Sequence, residues 1–311
     1  MRRIIVLGPQ RLQPILGRVI DSMSLQGRFA VITAGWQERE QEDDEIAHHL
    51  GGRTVNLDLF QRGEEVLTTD AELALAIEEI SSRRHRAHEI YRLRLNHLMA
   101  VVWELMSLES PGKIAQRELD DAFESVRALD RRHIESRRAL RSTFARKWEP
   151  NKRPTVARHR REIGQILADC EVVAIAGGHV ETLVDHLRVF GMEELWEDRP
   201  ILCWSAGAMA LAETFVLFHD VPPQGFGHAE ALDEGLALFP RVLPMPHARR
   251  RLNLDDRRRV TILARRFANF ACVPLDEGDH FEIRGAALWA EQPMRRITTD
   301  GDVITLEANP S

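Results

Sequence analysis

Short apolar runs alternate with helical stretches along most of the chain. The runs are bounded by Gly, Pro or charged residues, which is typical of buried strands. They lie near 3–7, 28–34, 53–57, 171–176, 199–203, 241–245 and 271–275, with helical patterns near 10–23, 37–50, 180–190 and 206–217. This alternation predicts an α/β fold with a parallel, flavodoxin-like sheet and helices on both faces. Residues 281–289 and 303–306 are expected to form short antiparallel strands, with a turn at Gly285.

One long stretch, from about Ala71 to Trp148, has almost no strand pattern. Helix-forming residues dominate it, and Ser110-Pro111-Gly112 interrupts them, which predicts two long helices joined by a turn. Each helix carries an apolar stripe at helical spacing: Leu93, Leu95, Leu98, Val101, Val102, Leu105 and Leu108 on the first, and Leu119, Phe123, Val126, Leu129 and Ile134 on the second. We therefore expect a helical hairpin over about 73–148, inserted into a single α/β domain that spans 1–311.

The inserted region is basic and the remainder of the chain is acidic. Residues 81–162 contain 20 Lys and Arg against 11 Asp and Glu, a net charge of +9, whereas the rest has 22 against 37, a net of −15. Such asymmetry can indicate a nucleic-acid surface. Because acidic residues are interleaved with the arginines, we favour a hairpin that docks on an acidic neighbour, its own core or a sister subunit. A homo-oligomer through the insertion is the expected assembly, and nucleic acid is not an expected partner.

Composition favours a cytoplasmic enzyme without a metal or other cofactor. The three cysteines, Cys170, Cys203 and Cys272, lie in or beside apolar runs, so we expect buried thiols. No apolar run approaches the roughly eighteen residues of a membrane helix, so membrane contact is not expected. His85, His88 and Glu89 share part of a helix face, but the H-E-x-x-H and C-x-x-C spacings of metal sites are absent from the sequence.

The strongest candidate for chemistry is the run Cys203-Trp204-Ser205-Ala206-Gly207-Ala208. It follows the apolar run 200–202 and begins a helical pattern of small residues. A serine between a strand and a helix, with Gly two positions later, is the arrangement of a nucleophile elbow, in which a sharp turn exposes the serine Oγ. Small residues also begin many buried helices, so the motif needs further support from its surroundings.

Two other strand ends supply that support. Gly177-Gly178 follows the apolar run 171–176, and a glycine pair there lets a backbone N–H face a reacting carbonyl. His247 follows the short run 241–245. The carboxyl ends of parallel strands meet at one edge of a sheet, so we expect Gly177, Ser205 and His247 to lie together there.

These motifs resemble the dipeptidase E and cyanophycinase group of serine peptidases, which carry a class I glutamine amidotransferase-like fold. The matching stretches, in order along the chain, are 175–183, 204–208, 223–226, 235–240, 246–247 and 275–278. The resemblance implies that Ser205 is the nucleophile and His247 its general base. It also implies that the N–H groups of Gly178 and Ala206 form the oxyanion hole, and that Asp220 is the third member of a Ser-His-Asp triad.

The resemblance leaves the acid and the substrate less defined. Glu277 is the alternative acid because Asp276-Glu277-Gly278 follows a strand-like run and also matches a family motif, and Glu213 is a further candidate. The resemblance implies a small peptide or isopeptide substrate with an acidic residue at the cleaved bond. His179 and Glu181 are placed to contact such a substrate. The basic residues just after His247 could bind its carboxylate: Arg249, Arg250 and Arg251.

A function of another class remains open from the sequence. The chain has Ala176-Gly177-Gly178-His179 where the family commonly has Gly-Gly-Gly-Asn, and it carries a large insertion. These departures would suit a catalytically silent member that acts as a binding scaffold, with the basic hairpin contacting a protein or nucleic acid. The presence of Ser205, Asp220 and His247 favours a serine peptidase instead.

Overall fold

The computed structural model describes residues 2–23, 25–109, 112–218, 227–239, 241–284, 287–289 and 293–307. Within these ranges the strands are β1 Arg3–Leu7, β2 Arg28–Ile32, β3 Thr54–Asn56, β4 Cys170–Ile175, β5 Ile201–Trp204, β6 Phe215–Leu217, β7 Glu230–Asp233, β8 Val242–Pro246, β9 Ala271–Leu275, β10 His280–Arg284, β11 Ala287–Trp289, β12 Met294–Ile297 and β13 Val303–Leu306. The helices are α1 Leu16–Ser22, α2 Asp44–His49, α3 Leu59–Thr69, α4 Ala71–Met106, α5 Lys113–Trp148, α6 Pro154–Ala168, α7 Val180–Val189, α8 Met192–Leu195, α9 Ala206–Leu211, α10 Ala248–Leu252 and α11 Arg257–Arg266.

The central sheet among the described residues has seven strands in the order β11-β10-β1-β5-β4-β2-β3. Neighbouring strands from β1 to β3 in this order are parallel, and β10 and β11 extend the sheet antiparallel. Strands β3, β2, β4 and β5 follow the flavodoxin order, and the amino-terminal strand β1 occupies the fifth place. The fold is therefore the expected α/β class with a mostly parallel central sheet, and its apolar core lies on both faces of that sheet.

The expectation that β8 and β9 belong to the central sheet was wrong. They pair in parallel with each other in a separate four-stranded sheet of order β13-β12-β9-β8. The reason is that β10 pairs antiparallel with β1 and so occupies the edge on which a further strand would have been added. The short antiparallel strands expected near the carboxyl end are present as the β10–β11 and β12–β13 pairs, whereas Gly285 lies outside the described residues.

Three predicted helices are shorter than the sequence pattern indicated, and the one expected over 37–50 is an α-helix only over Asp44–His49. The helix expected over 206–217 ends at Leu211, and 215–217 forms β6, which pairs with β7. The N–H groups of Leu236 and Leu238 donate to the carbonyls of Ala210 and Leu211 at 2.8 and 2.9 Å, so a returning chain takes the acceptors that a longer helix would use. The helix expected over 10–23 is likewise confined to Leu16–Ser22.

The two long helices predicted from the sequence are present as α4 and α5, each 36 residues long. Their facing sides form an apolar cluster, which also includes Ile262 of α11: Tyr91, Leu95, Met99, Val102, Leu119, Phe123, Val126 and Leu129. Only part of the predicted stripe on the first helix is buried, since Leu93 and Val101 are exposed. Tertiary packing thus selects one side of α4, and the other side faces outward.

Several basic side chains of the hairpin contact acidic residues in the rest of the chain. The Arg137 guanidinium, which is 2% exposed, pairs with Asp233 of β7 at 2.9 Å and with Glu181 of α7 at 2.5 Å. Arg84 donates to Asp185 at 2.8 Å. The hairpin therefore docks on an acidic surface of its own chain, and these ion pairs neutralise much of the positive charge of the hairpin.

Candidate active site

Ser205 lies in a sharp turn between β5 and α9. Its backbone dihedrals are φ 51° and ψ −122°, a conformation that residues other than glycine seldom adopt. A Cβ at Gly207 would lie 2.4 Å from the carbonyl oxygen of Ile175, so the glycine two positions after the serine allows the new helix to pass close to β4. The strained residue and the tight packing are those of a nucleophile elbow.

The glycine pair after β4 lies directly against this turn. A Cβ at Gly177 would lie 2.8 Å from the Ser205 Cβ and 3.4 Å from the Ala206 nitrogen, so only glycine fits. Gly178 has a φ of +110°, and the N–H of His179 donates to the Gly35 carbonyl at 2.6 Å, which fixes the loop. No described residue accepts a hydrogen bond from the N–H of Gly178 or of Ala206. Both groups are thus available to an oxyanion formed at Ser205.

His247 reaches the same place from the second sheet. It follows β8 with a left-handed φ of 59°, and its N–H donates to the Leu275 carbonyl of β9 at 2.8 Å. Ser205, His247, Gly177 and Gly178 line one cavity of about 570 Å³. The sequence-based expectation placed these residues on one sheet edge, whereas the structure brings them together from two sheets.

The pKa of His247 lies below its ordinary value. Burial is the largest cause, and the cations of Arg251 and Arg250 add to it, while the carboxylate of Asp276 acts in the opposite direction. A depressed pKa keeps the imidazole neutral to lower pH, which is the form that accepts a proton. The histidine is therefore electrostatically suited to act as a base at neutral pH.

Sequence reasoning did not single out Asp276 as a functional residue. Its Oδ1 accepts a hydrogen bond from the Arg249 backbone N–H at 3.0 Å, and its Oδ2 accepts one from Arg295 at 2.8 Å. The carboxylate thereby joins the start of α10, two residues after His247, to the end of β9. The only signal for a functional carboxylate here was the Asp276-Glu277-Gly278 motif, in which the resemblance pointed to Glu277 as the alternative acid.

The structure describes two of the three carboxylates considered as the triad acid. Asp220 lies outside the described residues, as does the matching stretch 223–226. Glu277 is half-buried in the turn after β9, and no described residue forms an ion pair or hydrogen bond with its side chain. Glu213 is exposed and accepts from the Arg241 N–H at 3.4 Å, at the amino end of β8 and therefore opposite the end that carries His247.

The residues predicted to contact substrate lie in different places, and not all of them line the cavity. His179 accepts a hydrogen bond from the Thr182 N–H at 3.2 Å through Nδ1, so it caps α7 rather than lining the cavity. Arg249 is 80% exposed beside Asp276 and faces a different cavity. Arg250 lines the cavity that contains Ser205 and His247.

The loop after β1 contributes an arginine that sequence reasoning missed. Gln10 is buried; its amide donates to the Gly8 carbonyl, and its Oε1 accepts from the N–H groups of Ile15 and Leu16, each at 2.9 Å. These bonds fix the loop, and Arg11 next to Gln10 lines the cavity. The only signal for this role in the sequence was the position of Gly8-Pro9-Gln10 at the carboxyl end of a predicted strand.

The far wall of the cavity combines aromatic, aliphatic and charged side chains. Trp36 and Ile46 supply apolar surface, and Arg39 and Glu42 also line this wall. Arg39 donates to Glu42 through Nε at 2.8 Å, so these two charges balance each other. Arg11 and Arg250 have no ionic partner among the described residues, whereas Glu45, which also lines the cavity, lies 4.0 Å from His49. The described part of the chain contains no cluster of three or more His, Cys, Asp or Glu side chains suited to a metal ion.

Comparison with known proteins places these features in a family. The sequence profile of peptidase family S51 matches residues 133–289, which include the elbow, the glycine pair, His247 and Asp276. Among solved structures, the chain is similar to a peptidase from an acI-B1 Actinobacterium, with 12% sequence identity, a TM-score of 0.47, and coverage of 100% of this chain and 96% of that one. No curated protein matches the chain.

Proposed function

Because this chain belongs to peptidase family S51, it is a serine peptidase, and we propose that Ser205 is its nucleophile and His247 its general base. The observation that carries the proposal is the strained Ser205 turn, packed against Gly177 and opening into the same cavity as His247. The alternative of a catalytically silent scaffold is not favoured, because the family is one of serine peptidases and both Ser205 and His247 line the same cavity.

In the proposed reaction, His247 accepts the hydroxyl proton of Ser205 while the Oγ attacks a peptide carbonyl. The N–H groups of Gly178 and Ala206 donate to the resulting oxyanion. His247 then gives the proton to the leaving amine, and the acyl-enzyme forms as the C–N bond breaks. Water attacks the ester by the same route in reverse, which releases the acid product and restores Ser205.

The third triad member is proposed to be Asp220, with Glu277 as the alternative. The resemblance supports Asp220, which stands fifteen residues after Ser205. Glu277 is supported by its position in the turn after β9, because the Leu275 carbonyl at the end of β9 accepts the backbone N–H of His247. Either carboxylate would fix the imidazole tautomer that accepts the serine proton.

The proposed substrate is a small peptide or isopeptide with a carboxylate near the scissile bond. Arg250 and Arg11 line the cavity with Ser205 and have no ionic partner among the described residues. An arginine fork matches a carboxylate in geometry as well as in charge. The cavity volume of about 570 Å³ also lies in the range of small-molecule sites, which favours a short substrate over a folded protein.

A fluorophosphonate probe tests the nucleophile directly. We expect wild-type protein to be labelled, and Ser205→Ala to lose both labelling and peptide hydrolysis by at least about 10³-fold while its melting temperature is retained. Replacing an exposed serine, Ser125→Ala, provides a matched control that should keep both signals. Full hydrolysis by Ser205→Ala with unchanged melting would disprove the assignment. Peptides with and without an acidic residue at the cleaved bond then test the substrate class.

A further inference from the structure

The hairpin exposes apolar surface that no other described part of the chain covers. Nine large apolar side chains are exposed among the described residues, and six of them belong to the hairpin: Leu75, Ile90, Leu93, Val101, Leu108 and Ile114. Single exposed apolar residues are ordinary, but a concentration of them on one element marks an interaction surface.

Three of these side chains form a continuous stripe on α4. At 100° per residue, Ile90, Leu93, His97 and Val101 project within a sector of about 80°. This outer stripe, residues 90–101 on that sector, is exposed throughout, with Leu93 at 61% and Ile90 at 55%. The inner side of α4 is already buried against α5, so the outer stripe would need a different covering surface.

The charged side chains beside the outer stripe also lack ion-pair partners within the described part of the chain. Arg86, Arg94 and Glu104 are exposed, and none of them forms an ion pair with a described residue. Other hairpin arginines differ, since Arg84 and Arg137 are paired with Asp185 and Asp233. The outer stripe therefore combines apolar positions with basic charges toward its amino end and an acidic charge toward its carboxyl end.

We propose that the outer stripe of α4 binds the same stripe of a second copy of this chain, antiparallel, with the two-fold axis beside His97. In this register, Leu93 of each copy lies opposite Val101 of the other. Glu104 lies opposite Ile90, one helical turn from both Arg86 and Arg94, so each carboxylate meets two cations. A parallel pairing would instead set Arg86 against its own copy, which is unfavourable.

The size of this surface limits its affinity. Residues 86–104 extend over about 28 Å at 1.5 Å per residue, so one helix pair buries less than the roughly 1,600 Å² of a standard stable interface. The dimer is therefore expected to dissociate on dilution. This inference does not depend on the proposed peptidase mechanism, since neither Ser205 nor His247 contributes to the outer stripe.

Charge reversal tests the register. Sedimentation velocity of the full chain over a concentration series should show a monomer–dimer equilibrium. Glu104→Arg should shift the protein toward monomer by at least tenfold in dissociation constant, and adding Arg86→Glu with Arg94→Glu should restore dimerisation. Glu38→Arg makes the same charge change on an exposed residue away from the hairpin and should have no effect.

A cysteine at the axis gives an independent readout. His97→Cys should form an intermolecular disulfide under mild oxidation, because residue 97 faces its own copy, and the native thiols of Cys170, Cys203 and Cys272 are buried. Asn96→Cys is exposed but projects about 100° away from the stripe, so it should remain reduced. A monomer at every concentration, or a dimer that keeps its affinity in Glu104→Arg, would overturn the proposal.

Discussion

The backbone N–H of Arg249 donates to Oδ1 of Asp276 at 3.0 Å, which joins the helix after His247 to the turn after β9. Two structural constraints follow for the candidate base. The His247 N–H is bound to the Leu275 carbonyl on one side, and the start of α10 is bound to Asp276 on the other. The carboxylate therefore both positions the turn and acts on the charge of the imidazole.

The pH dependence of labelling should move in opposite directions when the charges around His247 are changed. A base must be neutral, so labelling falls as pH drops through the pKa of His247. Asp276→Asn removes the charge that raises this pKa, so the acid limb should move to lower pH. Arg250→Gln removes a cation that lowers it, so the limb should move to higher pH.

The rate of fluorophosphonate labelling against pH checks this prediction. Such a probe carries no carboxylate, so a substrate-binding role of Arg250 does not enter the measurement. Shifts in the same direction for both variants would contradict the electrostatic assignment.

The triad acid can be identified by two amide substitutions. Asp220→Asn should lower kcat by about 10⁴-fold if Asp220 fixes the imidazole tautomer. Glu277→Gln should then have a mild effect. Steady-state kinetics on a cleaved peptide, with circular dichroism to confirm folding, makes the comparison. A severe loss in Glu277→Gln beside a mild one in Asp220→Asn would assign the acid to Glu277.

Adding a methyl group at Gly177 should damage the site rather than merely the fold. The new Cβ would approach the Ser205 Cβ to 2.8 Å, so the elbow or the oxyanion loop must shift. We expect Gly177→Ala to lower kcat/KM by about 10²-fold, as small misplacements do. Gly164→Ala in α6 is the control: a Cβ there meets nothing within 4 Å, so activity should stay unchanged and stability should rise by about 0.5–1 kcal/mol.

The hairpin should be anchored mainly by the buried pair of Arg137 and Asp233. Arg137→Met would remove the buried cation between Asp233 and Glu181 and leave Asp233 with Arg141 as its remaining ion-pair partner, and we expect the free energy of unfolding in urea to fall by about 3 kcal/mol. Arg131→Met removes an ion pair with Glu124 in which both side chains are more than half exposed. It should lower the free energy of unfolding by less than about 1 kcal/mol. Equal losses in the two variants would contradict this account.

Acid should weaken the fold through His133 of α5. Burial, together with the charges of Arg137 and His88, lowers the pKa of His133 to about 4, although Asp233 and Asp130 act in the other direction. The unfolded chain therefore takes up a proton near pH 6.5 and the native protein does not, so stability falls as pH drops from about 6.5 to 4. At about 1.4 kcal/mol per pH unit, the loss reaches about 3 kcal/mol.

His133→Phe should remove this part of the pH dependence. The ring stacks on Tyr91 with centroids 4.1 Å apart, and phenylalanine keeps that contact. Urea unfolding at pH 7 and pH 4.5 provides the measurement. An unchanged difference between the two pH values in the variant would show that another group is responsible.

Much of the candidate site could be predicted because its geometry is local. The turn at Ser205 needs small neighbours within a few residues, and glycine at position 207 is required where the new helix crosses β4. Likewise, the glycine pair follows its strand directly along the chain. Such short-range requirements appear in the sequence as fixed spacings between nearby residues. A single sequence was therefore sufficient to locate Ser205 and Gly177-Gly178.

The sequence by itself determined the long helices, the alternating strands and the position of the elbow, because backbone preferences and neighbouring residues set them. Only the tertiary structure decided that β8 lies in a second sheet, that Asp276 holds the His247 turn, and which side of α4 is buried. These outcomes depend on strands and side chains that compete for the same partners across the chain. Periodicity cannot rank those partners, because it records that a face is apolar but not which surface will cover it.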